Sequence, residues 1–378
     1  MEQNQFYFDH AAAVPVTPET FRRLNVLFGA YYANQEAMGA ASLLAADAEK
    51  DAMRRIVSVL TGSAESMRVL PGHSGTEVIA GLFRMISSVY SGGTVLYSES
   101  DHSAVRAAAE HLPDRFRTKA IPLRKDGTVD PEAFAGLLTS ETVLVSIPFV
   151  TSETGAVNDC SIFRRILLEH HSRAMLFCDG IQGVGKVVFD WNGARPDFFT
   201  VSGQKLGLPA GAALLYRDDW HKTAQKLRME LHGISRLPVP CLILLADVLE
   251  ERIGSLPERY ARMREMQERF LSLLEQELPD RFLRTVPREN VSPYITHLLL
   301  KHGIRGAIIV RSLATRGVSI ASGSACDAET PEPSRVLRGM GYDRETAYGA
   351  LRLSFFEEVP EETLVILAVM LREALDSY

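Results

Sequence analysis

Two ionisable residues, Asp179 and Lys205, each follow an apolar run. Ala174 to Cys178 leads into the first, and Phe198 to Val201, followed by Ser202, Gly203 and Gln204, leads into the second. Short apolar runs of this kind read as buried strands, so an acid and an amine emerge at strand ends. In open parallel sheets the ligand crevice lies there. An isolated lysine is ordinarily a solvated surface residue, and a strand-end aspartate can simply cap a loop. Lys205, however, sits in a mostly apolar setting, and desolvation lowers a lysine's pKa and makes it both nucleophile and base. A lysine able to form a Schiff base, with a carboxylate for a pyridine nitrogen, is the pair that pyridoxal phosphate requires. Gln182, three residues after Asp179, is placed to hydrogen-bond the ring's phenolic oxygen.

A phosphate needs donors. The stretch Pro71 to Glu77, PGHSGTE, puts small and hydroxylated residues before a helix beginning near Thr76, and a helix N-terminus offers free amides and positive dipole to an anion. Gly75 and Thr76 are the expected donors and Ser202 adds a hydroxyl, although Ser-Gly-Thr turns cap many helices without binding anything. His102, in SDHSAV, opens a helix after a strand; it reads equally as a cap or as a ring stacked on the cofactor face. Of the four cysteines, Cys178 and Cys241 lie among apolar neighbours, the common inert setting, and Cys160 is ambiguous at a helix start. Cys326, in the Gly/Ser-rich loop ASGSACDAE, has the accessible setting of a reactive thiol. Arg352, in ALRLSF, is an arginine in an apolar strand, suited to clamp a carboxylate in bidentate fashion or to form a buried structural ion pair.

These residues need a scaffold. Strand-like and helical runs alternate from Met67 to Tyr216, which indicates a mainly parallel sheet with helices on both faces. The helix over Ala41 to Leu60 ends at Gly62. After the helix-breaking LHGISRLPVP, a long amphipathic helix spans Cys241 to Ile253 and Pro257 to Leu278, and a smaller α+β unit follows. The expected division is an N-terminal arm (1–15) belonging to the small domain, a large domain (16–240) and a small C-terminal domain (241–378) carrying the cysteine loop. The chain's 378 residues, 46% of them apolar, suffice for roughly two domains. Its net charge of -6 comes from 41 basic and 47 acidic residues with no long run of either, so no nucleic-acid or membrane footprint is visible. Four scattered cysteines make neither a disulfide framework nor a zinc motif, and no metal is expected. The N-terminus has no basic-plus-apolar signal, so the expected location is the cytoplasm.

Taken in order, these residues resemble the cysteine desulfurases of the class V aminotransferase family. YFDHAAAVPVTP resembles that family's opening YLDNAATTPV, HSGTE its SGATE, DHSAV its EHKAV, CDGIQGVGK its DATQSVGK, and SGQK its SAHK. ASGSACDAETPEPSRVLRGMGY followed by LRLSF is similar to the group I members with the longer cysteine loop. The resemblance implies a fold-type I pyridoxal-phosphate transferase with a mainly parallel seven-stranded sheet, acting as a homodimer. It further implies that Lys205 is the Schiff-base lysine and Asp179 the pyridine-nitrogen partner. Gln182 becomes the phenolate partner, and His102 the stacking ring and a catalytic residue. Gly75, Thr76 and Ser202 fall on phosphate-binding positions, with Ser152 and Gln204 beside the cofactor. Arg352 and Asn34 are placed at the substrate, and Cys326 accepts sulfur. L-cysteine would yield L-alanine and a persulfide on Cys326, passed to an acceptor such as an iron-sulfur scaffold or a sulfur carrier. The family's HVNNE is FVTSE here, the histidine before its lysine is Gln204, and its GGGQERGLRSGTxN is shortened to HGISRLPVP. The alternatives are another carbon-sulfur or carbon-selenium lyase, such as selenocysteine lysis, and a non-catalytic or partner-dependent sulfur-transfer subunit.

Overall fold

The computed structural model describes residues 6–63, 67–217, 236–323 and 332–378. In chain order it runs β1 (Phe6–Tyr7), α1 (Pro18–Ala30), α2 (Ala40–Thr61), β2 (Met67–Gly72), α3 (Gly75–Val89), β3 (Gly93–Ser98), α4 (Ser103–Glu110), β4 (Phe116–Ile121), α5 (Pro131–Leu137), β5 (Thr142–Pro148), α6 (Cys160–Glu169), β6 (Met175–Asp179), α7 (Trp191–Ala194), β7 (Phe198–Ser202) and β8 (Ala212–Arg217). There follow α8 (Val239–Gly254), α9 (Leu256–Glu277), β9 (Phe282–Arg284), β10 (Ile295–Leu300), α10 (Gly306–Ala314), β11 (Val318–Ser319), α11 (Arg335–Gly339), α12 (Arg344–Ala347), β12 (Ala350–Ser354) and α13 (Glu361–Asp376).

Seven strands form one sheet in the order β2-β8-β7-β6-β5-β3-β4. Every pairing is parallel except those of β8, which runs antiparallel to β7 and to β2. The strands β5, β6 and β7 are buried along their whole length, as parallel strands covered on both faces must be, and they therefore read as continuous apolar runs. The chain reverses its direction of travel across the sheet between β3 and β5, with β4 outside β3 at the edge. A reversal of this kind opens a crevice at the carboxyl ends of the strands.

Local chemistry sets the helix ends. Gly62 closes α2 in the left-handed conformation, φ 76°, which glycine adopts without steric cost. Ser74 caps α3 by accepting from Glu77 N at 3.2 Å, and the Glu77 carboxylate accepts in turn from His73 N at 2.6 Å. Two elements carry no clear sequence signal, for physical reasons. In β4 only the end residues Phe116 and Ile121 are buried, because it is an edge strand with a solvated middle. α5 has only seven residues, too few for a helical period to show.

A three-stranded antiparallel sheet, β12-β10-β9, forms the second layer. The N-terminal strand β1 pairs in parallel with β11, Phe6 opposite Val318, and Asp9 bridges to Ser354 at the end of β12. Phe8 packs on Phe355 with ring centroids 5.5 Å apart, within a core shared with Phe270 and the buried face of α13. The long helix predicted after Pro240 is broken at Ser255 into α8 and α9. Residues 241–254, assigned by sequence to the C-terminal unit, pack on α2 and bury Leu242, Leu245 and Leu249 in the same cluster as Ile56 and Leu60. Among the described residues no helix is long and apolar enough to cross a membrane.

Asp197 ties β6 to the entry of β7. Its Oδ2 accepts from Leu176 N at 2.8 Å and from Arg164 Nη2 at 2.6 Å, and its Oδ1 accepts from Arg217 Nη1 at 2.9 Å. Removing one partner of a buried pair leaves the other charge uncompensated. Asp197→Ala is expected to cost about 3 kcal/mol of unfolding free energy, measured by chemical denaturation.

Candidate functional site

The carboxyl ends of β2, β5, β6 and β7 converge on a cavity of about 100 Å³. Asp179 ends β6, Gln182 follows in the next turn, and Ser202, Gln204 and Lys205 leave the end of β7. Gly75 and Thr76 enter from the first turn of α3, His102 from the cap of α4, and Ser152 from the segment after β5. The sequence therefore selected residues that the fold brings together. It did not select Ser74, Ser100 or Ile181, which also line the cavity.

The first turn of α3 presents amides that no helical carbonyl satisfies. A Cβ on Gly75 would lie 2.4 Å from Ile181 Cδ1, so a side chain there would have to turn the tip of Ile181 aside. Ser202 stands alongside. Amides, helix dipole and hydroxyl together make an anion site.

Asp179 is buried. Its Oδ1 accepts from Thr200 Oγ1 at 2.7 Å and from Ile181 N at 3.1 Å. Burial raises its pKa, opposed by those hydrogen bonds and by the charges of His102 and Lys205. Its second oxygen, Oδ2, accepts no bond among the described residues and remains for a donor in the cavity. Gln182 Nε2 donates to Ala11 O at 2.7 Å, while its buried Oε1 has no partner among the described residues. Lys205 Nζ donates to Ala12 O, and Val14 N donates to Gln204 O at 3.1 Å. The N-terminal arm therefore crosses the site, a role its sequence did not reveal because it acts through backbone carbonyls. His102 Nδ1 accepts from Ala104 N at 3.1 Å, which caps α4 and in the neutral ring leaves the proton on Nε2.

Arg352 is not among the lining residues. It is buried, donating from Nη2 to Asp9 Oδ1 at 2.6 Å and from Nη1 to the backbone oxygen of the lining residue Ser152 at 3.0 Å. Asn34 also lies outside the cavity, in an exposed turn where its Oδ1 accepts from Glu36 N at 3.0 Å. Cys326 lies outside the described residues, as do residues 231–235 of the shortened 231–240 segment. Cys160, Cys178 and Cys241 are buried, and burial pushes the thiols of Cys178 and Cys241 up, away from the thiolate that reactivity needs. The described residues contain no group of three or more His, Cys, Asp or Glu able to hold a metal ion.

The Aminotransferase class-V family profile matches residues 6–233. The chain belongs to the class-V aminotransferase family. It is 25% identical over 355 residues to a Rickettsia massiliae protein named "Cysteine desulfurase IscS", covering 92% of this chain and 85% of that one. A structure titled "NIFS-LIKE PROTEIN" superimposes with a TM-score of 0.85 at 21% identity, covering 99% of this chain and 100% of the other. A second, "SspA in complex with cysteine", gives 0.75 at 20% identity, with 93% and 99% covered.

Two further groups border the site of this class-V aminotransferase. Lys186, one helical turn after Gln182, is buried, and burial together with the charges of Arg252 and Lys205 lowers its pKa to about 7. Its spacing from Gln182, four residues within the turns of residues 180–187, was the available sequence signal. Asp101 precedes His102, accepts from Ser98 N at 2.8 Å, and leaves a buried Oδ1 without a partner among the described residues. Burial pushes its pKa from 3.8 to about 8, aided by the charge of Asp179. A folded-state pKa above the unfolded one means that the stability from this group is complete below 3.8 and is lost as pH rises through about 8. Asp101→Asn, which cannot ionise, is therefore expected to match the parent protein in strong acid and to exceed its stability by several kcal/mol, on the order of 5, well above pH 8. Denaturant titrations across pH measure this.

Proposed function

We propose that this chain is a pyridoxal-phosphate-dependent cysteine desulfurase. The observation that carries the reading is the meeting, in one cavity, of the Asp179 carboxylate, the Lys205 amine and the open helix start at Gly75 and Thr76. The donor set fits the cofactor: a half-used buried carboxylate for a protonated ring nitrogen, an anion site for the phosphate, and a lysine for covalent attachment. Bound there, pyridoxal phosphate would act as an electron sink for the substrate's α-carbon. The resemblance to proteins named cysteine desulfurases, and to one titled as a complex with cysteine, supports the choice of substrate.

The chain's own residues would act as follows. Gly75, Thr76 and Ser202 hold the phosphate. Asp179 Oδ2 accepts from the ring nitrogen and keeps it protonated. Gln182 faces the phenolic oxygen, His102 the ring, and Ser152 and Gln204 border the cofactor. Lys205, a partly desolvated amine, carries the cofactor and then moves the α-proton. Arg352 holds the substrate carboxylate. The Cys326 thiolate attacks the substrate sulfur, the carbon-sulfur bond breaks, and alanine leaves with Cys326 as a persulfide. An acceptor protein, an iron-sulfur scaffold or a sulfur carrier, then takes the terminal sulfur.

A homodimer is part of this reading. Helix α1 buries no residue fully, and Phe21, Val26, Tyr32, Met38, Leu43 and Leu44 are exposed along α1, the segment that follows it and the start of α2, Met38 at 93%. Exposed apolar residues concentrated in one stretch of chain fit an interface with a second copy. Asn34 is exposed in the same stretch, and its substrate role goes with the dimer in this reading. The small-domain assignment of the arm is supported by the pairing of β1 with β11. A cytoplasmic location completes the proposal.

The second reading, a different carbon-sulfur or carbon-selenium cleavage, is favoured by Ser152 lining the cavity where the family carries an asparagine. A panel of amino-acid substrates separates the two. Protein supplied with cofactor and L-cysteine under reductant is expected to release alanine and sulfide in equal amounts. Cys326→Ala should abolish both, and alanine release unaffected by that change would overturn the sulfur-acceptor role. Lys205→Ala should remove the visible absorbance of the covalently held cofactor, read by spectrophotometry.

A further inference from the structure

Arg352 offers a carboxylate two parallel N–H groups along its Nε–Nη2 edge, the geometry of bidentate recognition. In the structure this edge is half used. Asp9 Oδ1 accepts from Nη2 at 2.6 Å, whereas Nε is buried and has no partner among the described residues. The opposite side is held independently, by Nη1 donating to Ser152 O at 3.0 Å. No other carboxylate pairs with Arg352 among the described residues. His297, opposite Arg352 in the β10–β12 register, is not a counter-charge, since burial drives its pKa down to about 3 and leaves it neutral.

The two members of the pair differ in exposure. The Arg352 side chain is 3% exposed and that of Asp9 is 18% exposed. The guanidinium cannot move without leaving a charge buried, but the carboxylate can turn towards water and be rehydrated. The backbone of Asp9 is fixed by its bridge to Ser354, so the exchange requires only a side-chain rotation.

We propose that Asp9 is a resident carboxylate on the Arg352 fork, displaced when an amino-acid carboxylate binds, and that it thereby sets how strongly the site prefers a carboxylate over a neutral group. The inference rests on the reading of Arg352 as the substrate-carboxylate residue. The incoming carboxylate satisfies both Nε and Nη2, so two charge-assisted hydrogen bonds replace one and the orphaned donor is paired. A carboxamide cannot neutralise the guanidinium and does not displace Asp9 effectively. Asp9 acts through Arg352 and is a positioning residue.

The test titrates the full-length, cofactor-loaded protein with L-alanine and with L-alaninamide, following visible absorbance. The ratio of the two dissociation constants reports carboxylate preference. Asp9→Asn is expected to raise that preference about tenfold, mainly through tighter L-alanine binding, the scale of one charge-assisted hydrogen bond. Asp9→Glu should keep it near the parent value. Melting temperatures of the cofactor-free proteins report folding, with Asp9→Asn expected to melt lower because Arg352 loses its counter-charge. Asp9→Ser provides the same contrast should the asparagine variant fold poorly. An unchanged ratio overturns the proposal, as does a reduced one, which would mean that Asp9 orients Arg352 for the ligand instead of competing with it. A parent protein that binds cofactor but responds equally to both ligands overturns the role of Arg352 itself, whereas failure to bind cofactor overturns the proposed function.

Discussion

The site depends on the placement of buried polar groups whose partners come from distant parts of the chain. Gln182 and Lys205 stand at the ends of neighbouring strands, and both donate to consecutive carbonyls of the N-terminal arm, Ala11 and Ala12. Two residues earlier the same arm supplies the carboxylate on Arg352. Buried donors left unpaired are costly, so the arm is held in place by the groups it serves. The sheet carries the reactive residues, and the arm sets which of their hydrogen-bonding positions remain open.

Electrostatics follow from the same burial. Asp179 keeps one oxygen on Thr200 and the Ile181 amide and turns the other over to the cavity. Lys186 is buried near Lys205 and Arg252, and burial together with their charges disfavours its ammonium form. Asp101 stays neutral at ordinary pH behind His102. The cavity is thus lined by Asp179 and bordered by Lys186 and Asp101, groups whose charges are suppressed or half-compensated, which suits it to a ligand that brings charge of its own.

Much of the fold was legible in the sequence because it is written in burial. The runs at 142–148, 175–179 and 198–202 are fully covered strands, and their apolar continuity announces them. Gly62 as the end of α2, and a helix start near Thr76, could be read from local chemistry alone. Edge strand β4, with only its end residues buried, left no such trace. At the site, most of the polar side chains that meet the cavity were legible, Ser74 and Ser100 excepted, and backbone acceptors were not, because Ala11 and Ala12 contribute carbonyls that any residue type provides. The ion pair of Arg352 was foreseen only as an alternative, since an arginine in an apolar strand does not name its partner.

The pairing of β1 with β11 has a consequence for how the protein matures. Phe6 is made well before its partner Val318, since the whole seven-stranded sheet lies between them in sequence. Domains generally fold as units while the chain is being made, so the seven-stranded sheet can form before the arm has anything to pair with. Until then Gln182 and Lys205 lack their carbonyl partners, and Arg352 has not yet been translated. The strand that pairs with the arm and the arginine that binds Asp9 are thus both made after every strand of the seven-stranded sheet, so the contacts of the arm belong to a late stage of assembly.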